Sequence, residues 1–463
     1  MDLVALSGWE RRPGRLPHRL AAALEEALVT GALGEQPLPA ERRLAAALGV
    51  SRGTVTAAYA ELKDRKLVAS RPGGYTQPDL AALAVPVRAA RLAARWTVEE
   101  TILRDYALRD PQALDLSFAF LDVPAGAHAM VEAAYARALK HRPAPTTYLA
   151  AGLPALRERI ADTYTSMVLL RTTPEQIVVT QGAYQGIGLA AMLALSPGDV
   201  VVAETPMYAG ALDIFRAHGA AIRDLGSFDD PRTLDALEKA GSSVALVYAT
   251  SSYRNPVGTT IDPRAAARLA RWSARADVTL IDDRALAMCG FAGTTRPLAS
   301  YAPDAPILTL GSVDKTTGAG TRIGFMRVPR ATAPKLARLK GIADLTSPPL
   351  MQQVAAELHD DLTAISALRS AELARRYDRL ASRLRARFPR WRWTAPAGGA
   401  SIWVDVAGDA DALIRAASRA GVTIMRGAVF MPSGERTRYV RLAYARPEAL
   451  LDAALDRLAV ALR

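Results

Sequence analysis

Lysine and cysteine are the scarce residues of this chain. Of 58 basic side chains only seven are lysines, and 463 residues include a single cysteine, Cys289. One thiol excludes an internal disulfide framework and fits a reducing compartment. Histidine is nearly as rare, with five residues and no metal-ligand spacing, so no metal site is expected. No apolar run approaches the ~20 residues that span a bilayer. The opening MDLVALSGWERR has an early acid and too short an apolar stretch for a secretory signal. The expected setting is the cytoplasm, with no membrane partner. No serine sits in a nucleophile-elbow sequence, which removes a Ser-His-Asp hydrolase.

The rest of the composition is that of a globular chain. Half of the residues are apolar and 22% are charged, and the length predicts two to four domains with a large core. A net charge of +12 invites a nucleic-acid reading. Residues 1–78, however, hold 11 Lys+Arg against 8 Asp+Glu, or +3, which leaves +9 elsewhere. Charge alone therefore places no nucleic-acid surface, and codon usage explains an arginine-rich composition equally well.

Scarcity gives Lys315 its standing. It is the only lysine between Lys239 and Lys335, and it ends the apolar run of ILTLGSVDKTTGAGTRIGFMRV ahead of a Gly-rich turn. Arginine cannot replace an amine that must lose a proton and form a Schiff base. Ser312 and Arg322 flank it with a hydroxyl and a fixed cation, as a phosphate held beside a lysine-bound aldehyde requires. The set reads as a cradle for pyridoxal phosphate (PLP). The competing reading is a surface lysine in a loop, since S-x-x-K is common.

Near the amino end, residues 16–33 show helical periodicity through Leu20, Leu24, Ala27 and Leu28, ended by Gly31. After a turn with Pro37 and Pro39, residues 41–48 form a short helix stopped at Gly49. Ser51 is a natural N-cap for a second helix reaching about Arg65. Two helices across a short turn make a helix-turn-helix. The second would bury Val55, Tyr59 and Leu62 and leave Ser51, Arg52, Thr54 and Thr56 to reach phosphates and base edges. LVASRPGGY, carrying Arg71 and a tip at Gly73-Gly74, reads as a strand and wing; a small helical packing module is the alternative.

The stretch PLPAERRLAAALGVSRGTVTAAYAELKDRKLVASRPGG resembles the winged helix of the GntR family. Ala40 stands where serine is common and the wing is shortened, which bears on the minor-groove contact at Gly73 rather than on the fold. The resemblance implies that Arg42, Arg52 and Thr54 contact duplex DNA.

Residues 79–112 are alanine- and arginine-rich without a strand pattern and read as a partly helical linker. From 113 onward, strand candidates at 178–180, 200–203, 244–248, 278–281, 307–310 and 323–326 alternate with amphipathic helices, which predicts a mainly parallel α/β sheet. Ligands of such sheets sit beyond the carboxyl ends of strands. There the chain places Gly182-Ala183-Tyr184 opening a helix, whose backbone N–H groups suit a phosphate, then Tyr208 to stack on a planar ring. Asn255 follows, to donate to a phenolic oxygen, then Asp282-Asp283 to keep a pyridinium protonated, and finally Lys315.

That succession resembles the fold-type I PLP-dependent aminotransferases from about residue 115 to the end. The resemblance implies that Lys315 is the Schiff-base lysine, Asp282 the ring-nitrogen partner, Asn255 the ring-oxygen donor and Tyr208 the stacking ring. Ser312, Arg322 and the backbone of Gly182, Ala183 and Tyr184 would hold the phosphate, joined by Tyr148 from a partner subunit. Arg441, in RYVRLAYA, matches the arginine that clamps a substrate carboxylate; its other reading is a surface strand charge. A smaller α/β subdomain is expected over about 337–463, with helix over 351–388 and strands near 401–406, 423–425 and 439–443.

Residues 1–78 as a winged helix-turn-helix, 79–112 as linker and 113–463 as an aminotransferase-like domain together resemble the MocR subfamily of transcriptional regulators. Its members imply a head-to-tail homodimer in which PLP, or an amino compound condensed with it, modulates operator binding. Two departures stand out. Arg284 replaces the tyrosine expected to share the ring oxygen with Asn255, where its guanidinium would donate instead. Asp314 replaces serine and would put negative charge beside the phosphate. Both argue against efficient transamination, so the domain is expected to sense rather than catalyse. The alternative is an active aminotransferase with a fused DNA-binding module.

Overall fold

The computed structural model describes Leu6, Trp9 and residues 14–29, 38–65, 67–71, 75–78, 112–141, 148–168, 170–293, 295–435 and 437–462. The chain divides into two units, Met1–Glu99 and Glu100–Arg463. Apart from Gln112 the expected linker lies outside the described residues, as do Gly31, Pro37 and the wing tip at Gly73-Gly74.

In the first unit, α1 (Leu16–Val29), α2 (Glu41–Leu48) and α3 (Arg52–Asp64) precede the antiparallel pair β1 (Val68–Arg71) and β2 (Tyr75–Pro78). The turn forms as its residues require. Gly49 adopts φ 67°, a left-handed conformation that costs glycine little, and the Ser51 side chain accepts the Thr54 N–H to cap α3. Leu20 and Leu24 of α1 pack in one core with Val55, Tyr59 and Leu62 of α3. The Tyr59 hydroxyl donates to the Pro39 carbonyl at 2.8 Å, tying α3 to the chain ahead of α2.

The second unit opens with β3 (Leu114–Asp115), α4 (His128–Lys140) and α5 (Pro154–Ser166). Its main layer then alternates β4 (Ile177–Thr180), α6 (Gly182–Ala194), β5 (Val200–Ala203), α7 (Ala209–Ala217), β6 (Ala221–Asp224), α8 (Pro231–Ala240), β7 (Leu246–Ala249), α9 (Pro263–Ala276) and β8 (Thr279–Asp283). β9 (Ile307–Ser312), α10 (Asp314–Thr317), β10 (Gly324–Arg327), α11 (Ala333–Asp344), α12 (Pro349–Leu358) and α13 (Leu362–Arg387) follow. Last come β11 (Ser401–Asp405), α14 (Ala410–Arg419), β12 (Val422–Thr423), β13 (Met425–Arg426), β14 (Tyr439–Ala443) and α15 (Glu448–Ala461).

The seven-stranded sheet runs β4-β10-β9-β8-β7-β5-β6. β10 is antiparallel to both neighbours and every other pair but these is parallel. Runs such as IVVT and LVYA are apolar and buried throughout because helices cover both faces. β6 was not among the expected strands: as an edge it pairs only with β5, and its AIRD sequence is largely exposed, so no apolar run marks it. The helical region expected over 351–388 is formed by α12 and α13, with a 3-10 turn at His359–Asp361 between them.

The smaller layer is the antiparallel sheet β11-β14-β13, with β3 pairing in parallel with β12. Leu116, Tyr377, Leu384, Ile402, Leu442 and Leu455 share its core. β10 and the first turn of α6 touch backbone to backbone: a Cβ on Gly324 would lie 2.5 Å from the carbonyl carbon of Gly182 and 2.7 Å from the nitrogen of Ala183. Gly324→Ala should therefore lower the urea-unfolding stability of the full chain by about 1–3 kcal/mol, the usual cost of overpacking. An unchanged midpoint would mean that α6 stands off from β10.

Candidate functional site

Alternation along β8, β9 and β10 decides which side chains meet. Asp282 lies opposite Ala249 and Thr309, whereas Asp283 lies opposite Leu310, so the two carboxylates project to opposite faces of the sheet. The Asp282 face is the one packed with Val179, Leu280 and Ile307. There Asp282 is fully buried, one oxygen accepting the Ser251 N–H at 3.1 Å and the other the Leu298 N–H at 2.8 Å. Asp283 shares the other face with Tyr248, whose hydroxyl donates to it at 2.7 Å. Burial pushes its carboxyl up, and the Tyr248 hydroxyl and the Ala285 N–H oppose that shift.

Arg284 follows the same alternation to the Asp282 side. It is 3% exposed, and its guanidinium donates to the Ser251 hydroxyl and the Thr295 carbonyl, each at 2.7 Å.

β9 delivers Lys315 at its carboxyl end, where the one-turn helix α10 starts. The Lys315 N–H donates to the Ser312 hydroxyl at 3.2 Å, and its Nζ lies 3.5 Å from the Ala119 carbonyl. Burial lowers the amine's pKa; the Arg322 and Arg441 cations add to this, while Cys289 and Asp314 oppose it. Asp314 immediately precedes the lysine in α10. Its two oxygens accept the Thr321 hydroxyl at 2.8 Å and the Arg322 N–H at 2.9 Å, closing the turn that brings Arg322 back.

That turn places Arg322 beside α6. Gly182 has φ +77°, and a Cβ on it would lie 3.8 Å from Nη2 of Arg322. Ser312 is the register partner of Gly324, whose backbone touches Gly182, so the three groups lie at one end of the sheet. Gly210, unremarked in the sequence, brings two rings together: its Cβ would lie 2.7 Å from the Tyr208 hydroxyl oxygen and 2.8 Å from the Tyr184 ring. Asn255 accepts from Nη1 of Arg441 at 3.1 Å, and the Arg441 guanidinium stands 4.9 Å over the Phe430 ring. Arg441 is 2% exposed, so it is no surface charge; its Nη2 donates to the Ser117 carbonyl. Tyr148 is 69% exposed and joins none of these groups within the chain.

In the first unit Arg42, Ser51, Arg52 and Thr56 are exposed. Ser51 and Thr54 share a hydroxyl hydrogen bond at 2.9 Å, the Thr56 hydroxyl donates to the Arg52 carbonyl at 3.0 Å, and Arg52 pairs with Glu41 at 3.2 Å. Arg71 ends β1; its side chain, like Gly73, lies outside the described residues.

Residues 115–458 match the model of the class I and II aminotransferases, and residues 16–76 that of the gntR family of bacterial regulatory proteins. The HTH-type pyridoxine biosynthesis transcriptional regulator PdxR of Corynebacterium glutamicum is 30% identical over 343 residues, covering 73% of this chain and 71% of PdxR. The HTH-type transcriptional regulator TauR of Rhodobacter capsulatus is 28% identical over 497 aligned positions, 97% of each chain. The kynurenine aminotransferase of Pyrococcus horikoshii superposes with a TM-score of 0.72 at 20% identity, covering 83% of this chain and 98% of that one.

Burial of the Lys315 amine has a measurable cost. With its folded pKa below the unfolded value of about 10.4, the penalty is full below the folded pKa, shrinks as pH rises between the two values and is gone above the unfolded one. Cofactor-free Lys315→Met should therefore melt higher than the parent at pH 7, with the gap narrowing by about pH 10. A gap independent of pH would mean that the amine is solvated.

Proposed function

The chain belongs to the class I and II aminotransferase family and carries a gntR-family domain ahead of it, the MocR-type arrangement. From this premise we propose that it is a PLP-dependent transcriptional regulator whose second unit senses PLP or an amino compound and whose first unit reads duplex DNA. The observation that carries the proposal is the Lys315 amine, its pKa lowered by burial and by the Arg322 and Arg441 cations, in the same chain as a capped reader helix.

PLP supplies an aldehyde that condenses with primary amines and a ring that withdraws electrons from what it holds. The chain's own groups suit it. Ser312, Arg322 and the N–H groups of Gly182, Ala183 and Tyr184 would hold its phosphate, with Tyr148 of a partner subunit completing the set in a head-to-tail homodimer. Tyr208 would stack on the ring. Asn255, whose oxygen is engaged by Arg441, would present its nitrogen to the ring oxygen. Asp282 would hold a proton on the ring nitrogen. Arg441 would clamp an effector carboxylate, with bidentate geometry that suits a guanidinium. Linker boundaries at 79 and 112 and a cytoplasmic location belong to the same proposal.

An active aminotransferase is the second reading, favoured by the convergence of Lys315, Asn255 and Arg441 on one site. Keto acid released over many turnovers would identify it; a regulator releases at most one equivalent.

Borohydride reduction of the PLP-loaded protein should leave the phosphopyridoxyl group on Lys315. Its appearance on another lysine, or on none, would sink the sensor reading. Asp282→Asn should weaken retention of PLP, while Asp283→Asn should keep the visible spectrum; the reverse pattern would move the role to Asp283. For the reader helix, Arg52→Ala should cost about 1–3 kcal/mol of operator affinity if it reads a base, or lower the salt slope by about one if it holds a phosphate. Unchanged affinity and slope would exclude α3 as the reader.

A further inference from the structure

Building on the proposal above, the effector site is covered by its own chain. Residues 117–121 cross it, and three backbone carbonyls on or beside this strap accept from cationic side chains. Ser117 accepts from Arg441, Ala119 faces Lys315 at 3.5 Å, and Asp122, just past the strap, accepts from Arg369. The strap is anchored at both ends, since Leu116 and Leu121 are buried in the smaller layer's core. Between the anchors it is looser: Phe120 is half exposed, stacked on Phe118 at 6.1 Å between ring centroids.

Arg441 is 2% exposed. A ligand carboxylate cannot reach a guanidinium so enclosed unless what covers it moves, and the Ser117 carbonyl is the group on Nη2. The two compete unequally: an ionised acceptor forms a hydrogen bond roughly twice as strong as a neutral one. PLP carries no carboxylate and its phosphate belongs at α6, so the cofactor alone has nothing with which to displace Ser117.

We propose that the Ser117 carbonyl is a resident competitor for Arg441, displaced by a carboxylate-bearing amino compound and not by PLP alone. The effector is then an amino acid, and bare PLP is the co-ligand. Displacement has a route outward. Oδ1 of Asp115 accepts both the Ser117 N–H and the Ser117 hydroxyl at 2.7 Å. Asp115 ends β3, and Leu114 and Leu116 are fixed by backbone bonds to Gly421 and Thr423. Moving Ser117 breaks the Asp115 turn and so perturbs the first described strand after residues 79–111. A ligand shifts an equilibrium only through its differential affinity for two states; here the two states are strap on Arg441 and strap released.

The test uses the full-length protein with Phe120→Cys labelled by an environment-sensitive fluorophore, the native Cys289 being fully buried. Emission is read without ligand, with PLP, and with PLP plus each of the twenty standard amino acids, while the visible spectrum confirms that PLP is bound. The same label is read in Arg441→Gln and, should that variant fold poorly, Arg441→Lys. The expected result is a shift in Arg441→Gln without any ligand, none with PLP alone, and one with PLP plus at least one amino acid. That last shift should be lost in the variant. Unshifted emission in the folded variant, a full shift with PLP alone, or no shift with any amino acid would overturn the proposal. Absence of a PLP band would instead overturn the cofactor reading beneath it.

Discussion

The enclosure of one amine sets the arrangement of the second unit. β9 carries Lys315 to the sheet's carboxyl edge, α10 ends after one turn, and Gly318, at φ +65°, lets the chain return. No side chain fits there: a Cβ would lie 2.2 Å from the backbone of Asp122. Arg369, 1% exposed, donates to the carbonyls of Thr316 and Asp122 and pairs with Glu372 at 2.9 Å. One guanidinium on α13 thus holds the lysine's helix and the covering chain together. Such a group is stable in a low-dielectric interior only because its hydrogen-bonding capacity is met.

Much of this was legible in the sequence, because it rests on local signals. The caps at Ser51 and Gly49, the apolar strand runs and the order of Gly turn, aromatic, Asn-Pro, acid and lysine on successive strand ends all name their own structural context. The face that each carboxylate takes was not legible. Asp282-Asp283 offers two candidates one residue apart, and a period of two gives them opposite faces without saying which is which. Only the pairing of β8 with β7 and β9 fixes the phase. Nor does sequence spacing bring Ser117 to Arg441, since that contact is made between backbone and side chain across the smaller layer.

Not every buried charge belongs to the site. Arg254, next to Asn255 in sequence, pairs with Glu204 at 2.6 Å and Asp229 at 2.7 Å. Burial pushes the Glu204 carboxyl up and the Arg254 cation counters it. This pair ties the end of β5 to the turn that carries Asn255, so an arginine beside a ligand residue serves the scaffold.

Lysine scarcity, joined to burial, has a consequence for the chemistry of a crowded cell. Aldehydes condense with amines and not with the guanidiniums that supply most of this protein's positive charge. Lys340 is wholly enclosed and pairs with Asp344. Among the described residues, that leaves Lys63, Lys140, Lys239 and Lys335 as exposed amines on a chain with 58 basic side chains. Such a surface adsorbs little reactive carbonyl. Were Lys315 the amine that takes PLP, as proposed, its occupancy would follow the free aldehyde concentration closely, undistorted by a reservoir of adducts on the described exterior.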